Sequence, residues 1–327
     1  WYTPSNALLV VAGDVDPDAV HRMAQDHFGD TPARPMRRTP MHGFAVLLLL
    51  LGTLVALAMA PVVAAAAPTP WSAEAAAGQP VAQLEMEARA HLETTPPDYT
   101  QARRWFTAAA KRGSPRAMAY LGWFHEHGHG VAQDPGRAVA WYARAVDAGA
   151  LHYTLHLGWM HLDGRLLKTD QAAAEAWFRR GIRAGYTPAR VALASVWIAD
   201  AMGGRAPQRT LEAERLLLDA HDKGAPKADY FLAKLYIQGI GAVDADADKA
   251  FYYTRLGARR GEPTMQAWLA QQYLEGRGVE ADPVQAVKWA HRSASAGDPM
   301  GQAVWRDLER RLDPQVIREG KALAGED

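Results

Sequence analysis

The sequence predicts an all-α protein whose main body is a solenoid of stacked helix pairs. Three observations carry the prediction. Glycines at 113, 149, 185, 224, 261 and 297 recur at spacings of 36, 36, 39, 37 and 36 residues, each closing a charged helical stretch. Eleven residues before them stand Ala102, Ala138, Ala174, Ala213, Ala250 and Ala286, and eight before them Trp105, Trp141, Trp177, Leu216, Tyr253 and Trp289. Eight residues after the first five stand Leu121, Leu157, Leu193, Leu232 and Leu269, each followed by glycine or alanine. Self-similarity at a fixed period of this size marks a repeat array, in which no helix pair buries its apolar face alone.

Composition narrows the function classes. The 327 residues carry 36 Lys plus Arg against 36 Asp plus Glu, so the electrostatic footprint of a nucleic-acid binder is missing and nucleic acid is not an expected partner. The absence of cysteine excludes disulfides, thiolate metal sites and a cysteine nucleophile. Eleven tryptophans and 49% apolar content require a substantial core.

The chain begins on Trp1. Residues 1–35 open with an apolar run from Ala7 to Ala12 and a Gly13-Asp14 turn, which predicts a buried strand. Asp16 then caps a helix with Pro17 at its first position, and Val20, Met23, Ala24 and Phe28 form its apolar stripe. Tyr2, Pro4, Asn6, Ala7, Gly13, Asp14, Phe28 and Gly29 resemble a segment of the insulinase (pitrilysin-type) zinc peptidases. That family carries zinc on an upstream H-x-x-E-H helix with a further glutamate, and none of those elements occurs here. The resemblance therefore implies ancestry without activity: a non-catalytic fragment, or the tail of a neighbouring reading frame joined to this one.

Residues 36–67 have the plan of a secretory signal peptide: Met36, then Arg37 and Arg38, a 17-residue apolar stretch from Phe44 to Ala60, and small residues before Pro68. Met36 is the expected start, with cleavage at Ala64-Ala65-Ala66. The other reading keeps residues 44–60 as an uncleaved anchor, at the lower limit of length for crossing a bilayer, and membrane contact is expected only in that case. The arginines precede the apolar run in either reading, so everything after it lies outside the cytoplasm. The expected compartment is the periplasm or beyond, the alternative an inner-membrane anchor with the repeats outside.

After a linker at 68–78, residues 79–327 hold the repeats. In each unit helix A opens near a proline such as Pro115, Pro226 or Pro263 and ends at a glycine-rich connection: GHGV at 128, GIGA at 239, GRGV at 276. Helix B starts behind Asp134 or Asp282, each followed by proline, and closes on the periodic glycine. The Gly/Ala column admits close helix approach, and the Leu and Trp columns are expected to fill the space between helices. Residues 79–97 read as a degenerate first helix A, and 298–327 as a last helix A plus a polar cap helix. The third unit departs most, with 39 residues, Leu216 in the Trp slot and GGRAP in its connection.

Leu121, Gly122, Gly128, Gly130 and Val131, continuing through Asp134, Ala138, Trp141, Ala145 and Gly149, resemble the Sel-one-like repeat (SLR), a branch of the tetratricopeptide-like helical repeats. The resemblance implies a right-handed α/α superhelix that acts as an adaptor, holding a protein or peptide partner on the concave face lined by the A helices. Trp123, Trp159 and Lys234 on helix A are the candidate partner contacts, because large rigid side chains bind at low entropic cost. The competing reading packs both tryptophans against the neighbouring unit.

One stretch points elsewhere. In FHEHGHGV, His125, Glu126 and His129 spell H-E-x-x-H, the signature of a metal-dependent peptidase, and six of the 12 histidines, at 125, 127, 129, 152, 156 and 161, fall close together. The repeat frame argues against that alternative function. His125 takes the slot four after Leu121 that other units fill with His161, Trp197, Tyr236 and Tyr273, an expected core column, and His129 falls beyond the helix-ending Gly128. No catalytic residue, no cofactor and no metal are expected; His127 and His129 are the weak candidates for adventitious metal binding.

Overall fold

A computed structural model describes residues 68–325; the predicted strand-helix fragment and signal segment lie outside the described residues. Among those described, all regular structure is helical. Helix A of successive units is α2 (Val81–Leu92), α4 (Pro115–His127), α6 (Tyr153–Asp163), α8 (Pro188–Met202), α10 (Pro226–Gln238), α12 (Pro263–Glu275) and α14 (Pro299–Arg311). Helix B is α3 (Tyr99–Lys111), α5 (Pro135–Asp147), α7 (Gln171–Arg183), α9 (Arg209–Asp222), α11 (Ala247–Arg259) and α13 (Pro283–Ser295). One turn, α1 (Ala73–Ala76), precedes the array, and α15 (Pro314–Ala324) closes it by packing on α13.

The helix ends are set by the residues the sequence singles out. Asp98, Asp134, Asp170, Asp246 and Asp282 each accept a backbone amide of the first turn of helix B. These caps satisfy donors that a helix N-terminus otherwise leaves orphaned. All five are tied back through their own amides: Asp98 donates to the His91 carbonyl, Asp134 to His125, Asp170 to His161, Asp246 to Tyr236 and Asp282 to Tyr273, at 2.8–2.9 Å. The slot four after the Leu column thus pins the A-to-B connection by its backbone. The closing glycines hold φ between 74° and 99°, the left-handed conformation that favours glycine.

All six residues of the Ala column are at most 2% exposed, and all five of the Leu column at most 3%. The Trp column corrects its expectation. Trp105, Tyr253 and Trp289 are buried, but Trp141, Trp177 and Leu216 are half-buried. The guanidinium groups of Arg144 and Arg180 lie over the Trp141 and Trp177 rings at 4.6 and 5.2 Å, which shields the outer ring face without a second helix. The fully interior column is the next residue along: Phe106, Tyr142, Phe178, Leu217, Thr254 and Ala290. At Tyr142 and Phe178 the facing helix A is bare. A Cβ on Gly122 would stand 2.9 Å from the Tyr142 ring, and one on Gly158 would overlap the Phe178 ring. Later units hold Ala194, Ala233 and Ala270 in the glycine register and smaller Leu217, Thr254 and Ala290 in the aromatic one.

The irregular third unit is held by polar groups. Its helix B lacks a side-chain cap, and the connection from α8 turns through Ala206 at φ 43°. Buried Glu175 and Asp200 anchor it: Gln171 bonds both, Arg209 reaches Glu175 at 2.5 Å and Arg205 reaches Asp200. Arg179 and Arg209 flank the Trp197 ring at 5.3 Å each. Residues 68–78, read from sequence as a linker, lie against α2 and α3. The Thr69 carbonyl meets His91 Nε2 at 2.7 Å and Trp105 Nε1 at 3.1 Å, and Trp71 packs edge-on to Trp105.

Candidate functional site

The bare Gly122 brings Tyr142 of α5 close to α4, and one turn further along α4 this approach creates a polar junction. Tyr142 donates its hydroxyl to Glu126 Oε2 at 2.6 Å, and His156 Nε2 of α6 lies 3.0 Å from the same oxygen. Glu126 is 9% and Tyr142 3% exposed. Burial pushes the Glu126 carboxyl up, but the hydrogen bonds from His156 and Tyr142 outweigh it and hold the group below its ordinary value. The carboxylate is therefore ionised at neutral pH and accepts from both partners, so His156 carries its proton on Nε2. The Tyr142 hydroxyl is pushed up by burial and by the neighbouring carboxylate, and stays a donor.

This junction is the floor of a groove of about 620 Å³ on the A-helix side, walled by His127, His156, Trp159, Met160, Asp163 and Arg165. Trp159 is 44% exposed and rests edge-on against Phe178, with ring centroids 5.3 Å apart. A second groove, of about 340 Å³, lies along α10 and α12, with Lys234, Gln238, Trp268, Gln271, Glu275 and Met300 in its walls. There Trp268 stacks on Tyr230 at 5.1 Å and Lys234 is half-buried. Both grooves pair a tryptophan with charged and amide groups, a composition suited to a mixed polar and apolar peptide surface.

The sequence-predicted residues divide accordingly. Trp159 lines the first groove and Lys234 the second. Trp123 is half-buried within a ring cluster, 4.5 Å from His129 and 6.2 Å from Tyr99, and lines neither groove. His156, Trp268 and Gln271 were not singled out as contacts. The column just before the Leu column, with Tyr120, His156, Phe231 and Trp268, held the available signal: aromatic side chains on the edge of the apolar stripe.

The H-E-x-x-H residues go three ways. Gly128, at φ 74°, ends α4, and its amide bonds the Phe124 carbonyl at 2.9 Å, so His129 lies outside the helix with its ring stacked on Tyr99 at 4.5 Å. Glu126 turns to Tyr142 and His156. His125 buries its Nδ1 without a hydrogen-bond partner, and burial, followed by the charge of Arg137, pushes its pKa down. His127 and His129 stack in parallel with centroids 5.7 Å apart. Among the described residues no group of three or more His, Asp or Glu is placed to hold a metal ion. The His125 slot is also less uniform than expected: Trp197 and Tyr236 are buried, while His125, His161 and Tyr273 are half-buried.

Comparison with known proteins agrees with this architecture. Residues 1–77 match the peptidase M16 inactive domain, which bears out the insulinase-like resemblance of the leading segment. A negative regulator of exopolysaccharide production from Rhizobium leguminosarum bv. viciae is 28% identical over 138 residues, covering 38% of this chain and 50% of the regulator. The chain thus spans about half the length of the curated relative it matches. Among solved structures, c5321, a protective antigen of uropathogenic Escherichia coli with an SLR fold, superimposes with a TM-score of 0.61 at 23% identity, over 75% of this chain and 52% of the antigen. A Sel1 repeat protein from Oxalobacter formigenes superimposes with a TM-score of 0.58 at 25% identity, over 75% of this chain and 71% of its own. Sel1 repeats match at residues 91–114, 115–149, 154–186, 226–262 and 263–298, about half of the sequence, leaving out the irregular third unit. The chain belongs to the Sel1 repeat family.

Proposed function

We propose that this protein is an exported scaffold that holds a protein or peptide partner along the face lined by its A helices. The observation that carries the reading is the recurrence of one kind of groove at two places on that face, each with a tryptophan beside charged and amide side chains. A solenoid offers such positions in series, so several weak contacts add along one extended ligand. A role in regulation fits the same reading, since the Rhizobium relative is named a negative regulator. Export rests on the sequence of residues 36–67; among the described residues no helix is long and apolar enough to cross a membrane.

The reading is tested with the tagged full chain in its native host. A partner identified by mass spectrometry is expected to be recovered at least tenfold less with Trp159→Ala combined with Lys234→Glu, while Arg183→Glu on a B helix leaves recovery unchanged. Fractionation is expected to place the repeats outside the cytoplasm. Retention of the same partner by the double variant, or cytoplasmic repeats, contradicts the respective half of the proposal.

A further inference from the structure

One column of the A helices is broken at a single unit. Three residues after the Leu column stand Phe124, Met160, Val196 and Leu235, all apolar and all buried, yet α12 places Gln272 there at 5% exposure. Its Oε1 is buried without a hydrogen-bond partner. Gln266, the other buried glutamine of α12, shows the usual arrangement, donating Nε2 to the Ala258 carbonyl at 3.2 Å. A buried acceptor without a donor costs stability that an apolar residue, such as Leu235 in the preceding unit, does not. Local rules are broken in this way chiefly where a site needs the exception.

Gln272 lines the groove along α10 and α12, together with two further amides, Gln238 and Gln271. Ile237, Trp268 and Met300, from three successive A helices, supply apolar surface. Glu275 is paired with Arg277 at 2.6 Å, so the remaining charged group of the lining is the Lys234 ammonium. An extended peptide answers each of these features. It carries N–H and C=O groups along its edges and turns successive side chains to opposite faces. One main-chain N–H gives Gln272 the donor it lacks, and a neighbouring carbonyl accepts from the Gln271 amide. Rotating the Gln272 amide by half a turn exchanges an orphaned acceptor for an orphaned donor, and a peptide unit supplies the partner of either. The terminal torsion of glutamine is soft, so the amide turns toward an occupant without movement of α12.

We propose that the groove along α10 and α12 grips an extended peptide segment by its backbone, a main-chain N–H donating to Gln272 Oε1, with an apolar side chain against Trp268 and Met300 and an acidic one at Lys234. This rests on the reading that the A-helix face holds the partner, and it adds the form and chemistry of the segment held. Main-chain hydrogen bonds supply affinity that is tolerant of sequence, while the apolar surface and the ammonium choose among sequences.

The test selects phage-displayed random heptapeptides on the immobilised full chain and measures the synthetic peptides by fluorescence polarisation. Peptides combining an apolar with an acidic residue are expected. Their affinity should fall at least tenfold with Gln272→Leu and with N-methylation of one backbone amide, and should be unchanged by Trp159→Ala in the other groove. Gln272→Leu installs the residue that Leu235 already provides in this column, and is expected to unfold at a higher urea concentration than the parent. A role for Gln272 in packing alone predicts a lower one. The proposal is overturned if no peptide is selected, if every selected peptide binds Gln272→Leu as it binds the parent or tolerates N-methylation at every position, or if Gln272→Leu is the less stable protein. The A-helix reading is judged separately, on recovery of the native partner by the Trp159→Ala and Lys234→Glu double variant.

Discussion

Tyr142 of α5 donates its hydroxyl to the Glu126 carboxylate of α4 across 2.6 Å, and both side chains are buried. This bond gives the glutamate of an apparent peptidase signature a packing role. Removing the hydroxyl leaves a buried charge with one partner fewer, so Tyr142→Phe is expected to cost about 1–3 kcal/mol of stability, read from urea unfolding. In a double-mutant cycle with Glu126→Gln the two changes are expected to be non-additive by about 1 kcal/mol.

Acid should act on the same junction. The folded-state pKa of Glu126 is held below its unfolded value of 4.5 by His156 and Tyr142. Its contribution is therefore complete above the unfolded pKa and is lost as pH falls through the folded one. Unfolding midpoints of the parent are expected to drop below pH 4.5 more steeply than those of Glu126→Gln.

His125 works in a higher window with the same sign. Burial, and then Arg137, hold its folded pKa below the ordinary 6.5, so the unfolded chain takes up the proton first and stability falls as pH drops below that value. His125→Phe removes both this dependence and the unpartnered Nδ1, and is expected to gain about 1 kcal/mol at pH 6 by urea unfolding. A loss of stability in this variant would show that His125 makes a polar contact the fold needs.

Gly158 and Phe178 form a size-matched pair. Gly158→Ala places a methyl inside the Phe178 ring, and a core that packs tightly responds with a loss of about 2–3 kcal/mol. Adding Phe178→Leu, the combination already present as Ala194 and Leu217, should restore at least half of it. Calorimetry of the single and double variants measures both.

The repeat frame was legible because it rests on local necessities: glycine at a positive φ, aspartate over a helix start, and alanine where two helices touch. Less legible was everything that depends on which helix faces which. The Trp column reads as core, yet Trp141 and Trp177 stay half-exposed because Arg144 and Arg180, three residues on, cover them. Glu126, Tyr142 and His156 lie on three different helices, and only the close approach at Gly122 brings them together. The H-E-x-x-H spacing was legible and misleading, because Gly128 ends the helix between its two histidines.

The central claim, that the A-helix face carries the partner, is tested most directly by photo-crosslinking in cells. Benzoylphenylalanine is placed at Trp159 and at Gln271, one in each groove, and at Trp177 on a B helix as the control. The account predicts adducts of one and the same protein from positions 159 and 271 and none from 177. No adduct from either groove, or equal yield at Trp177, would contradict it.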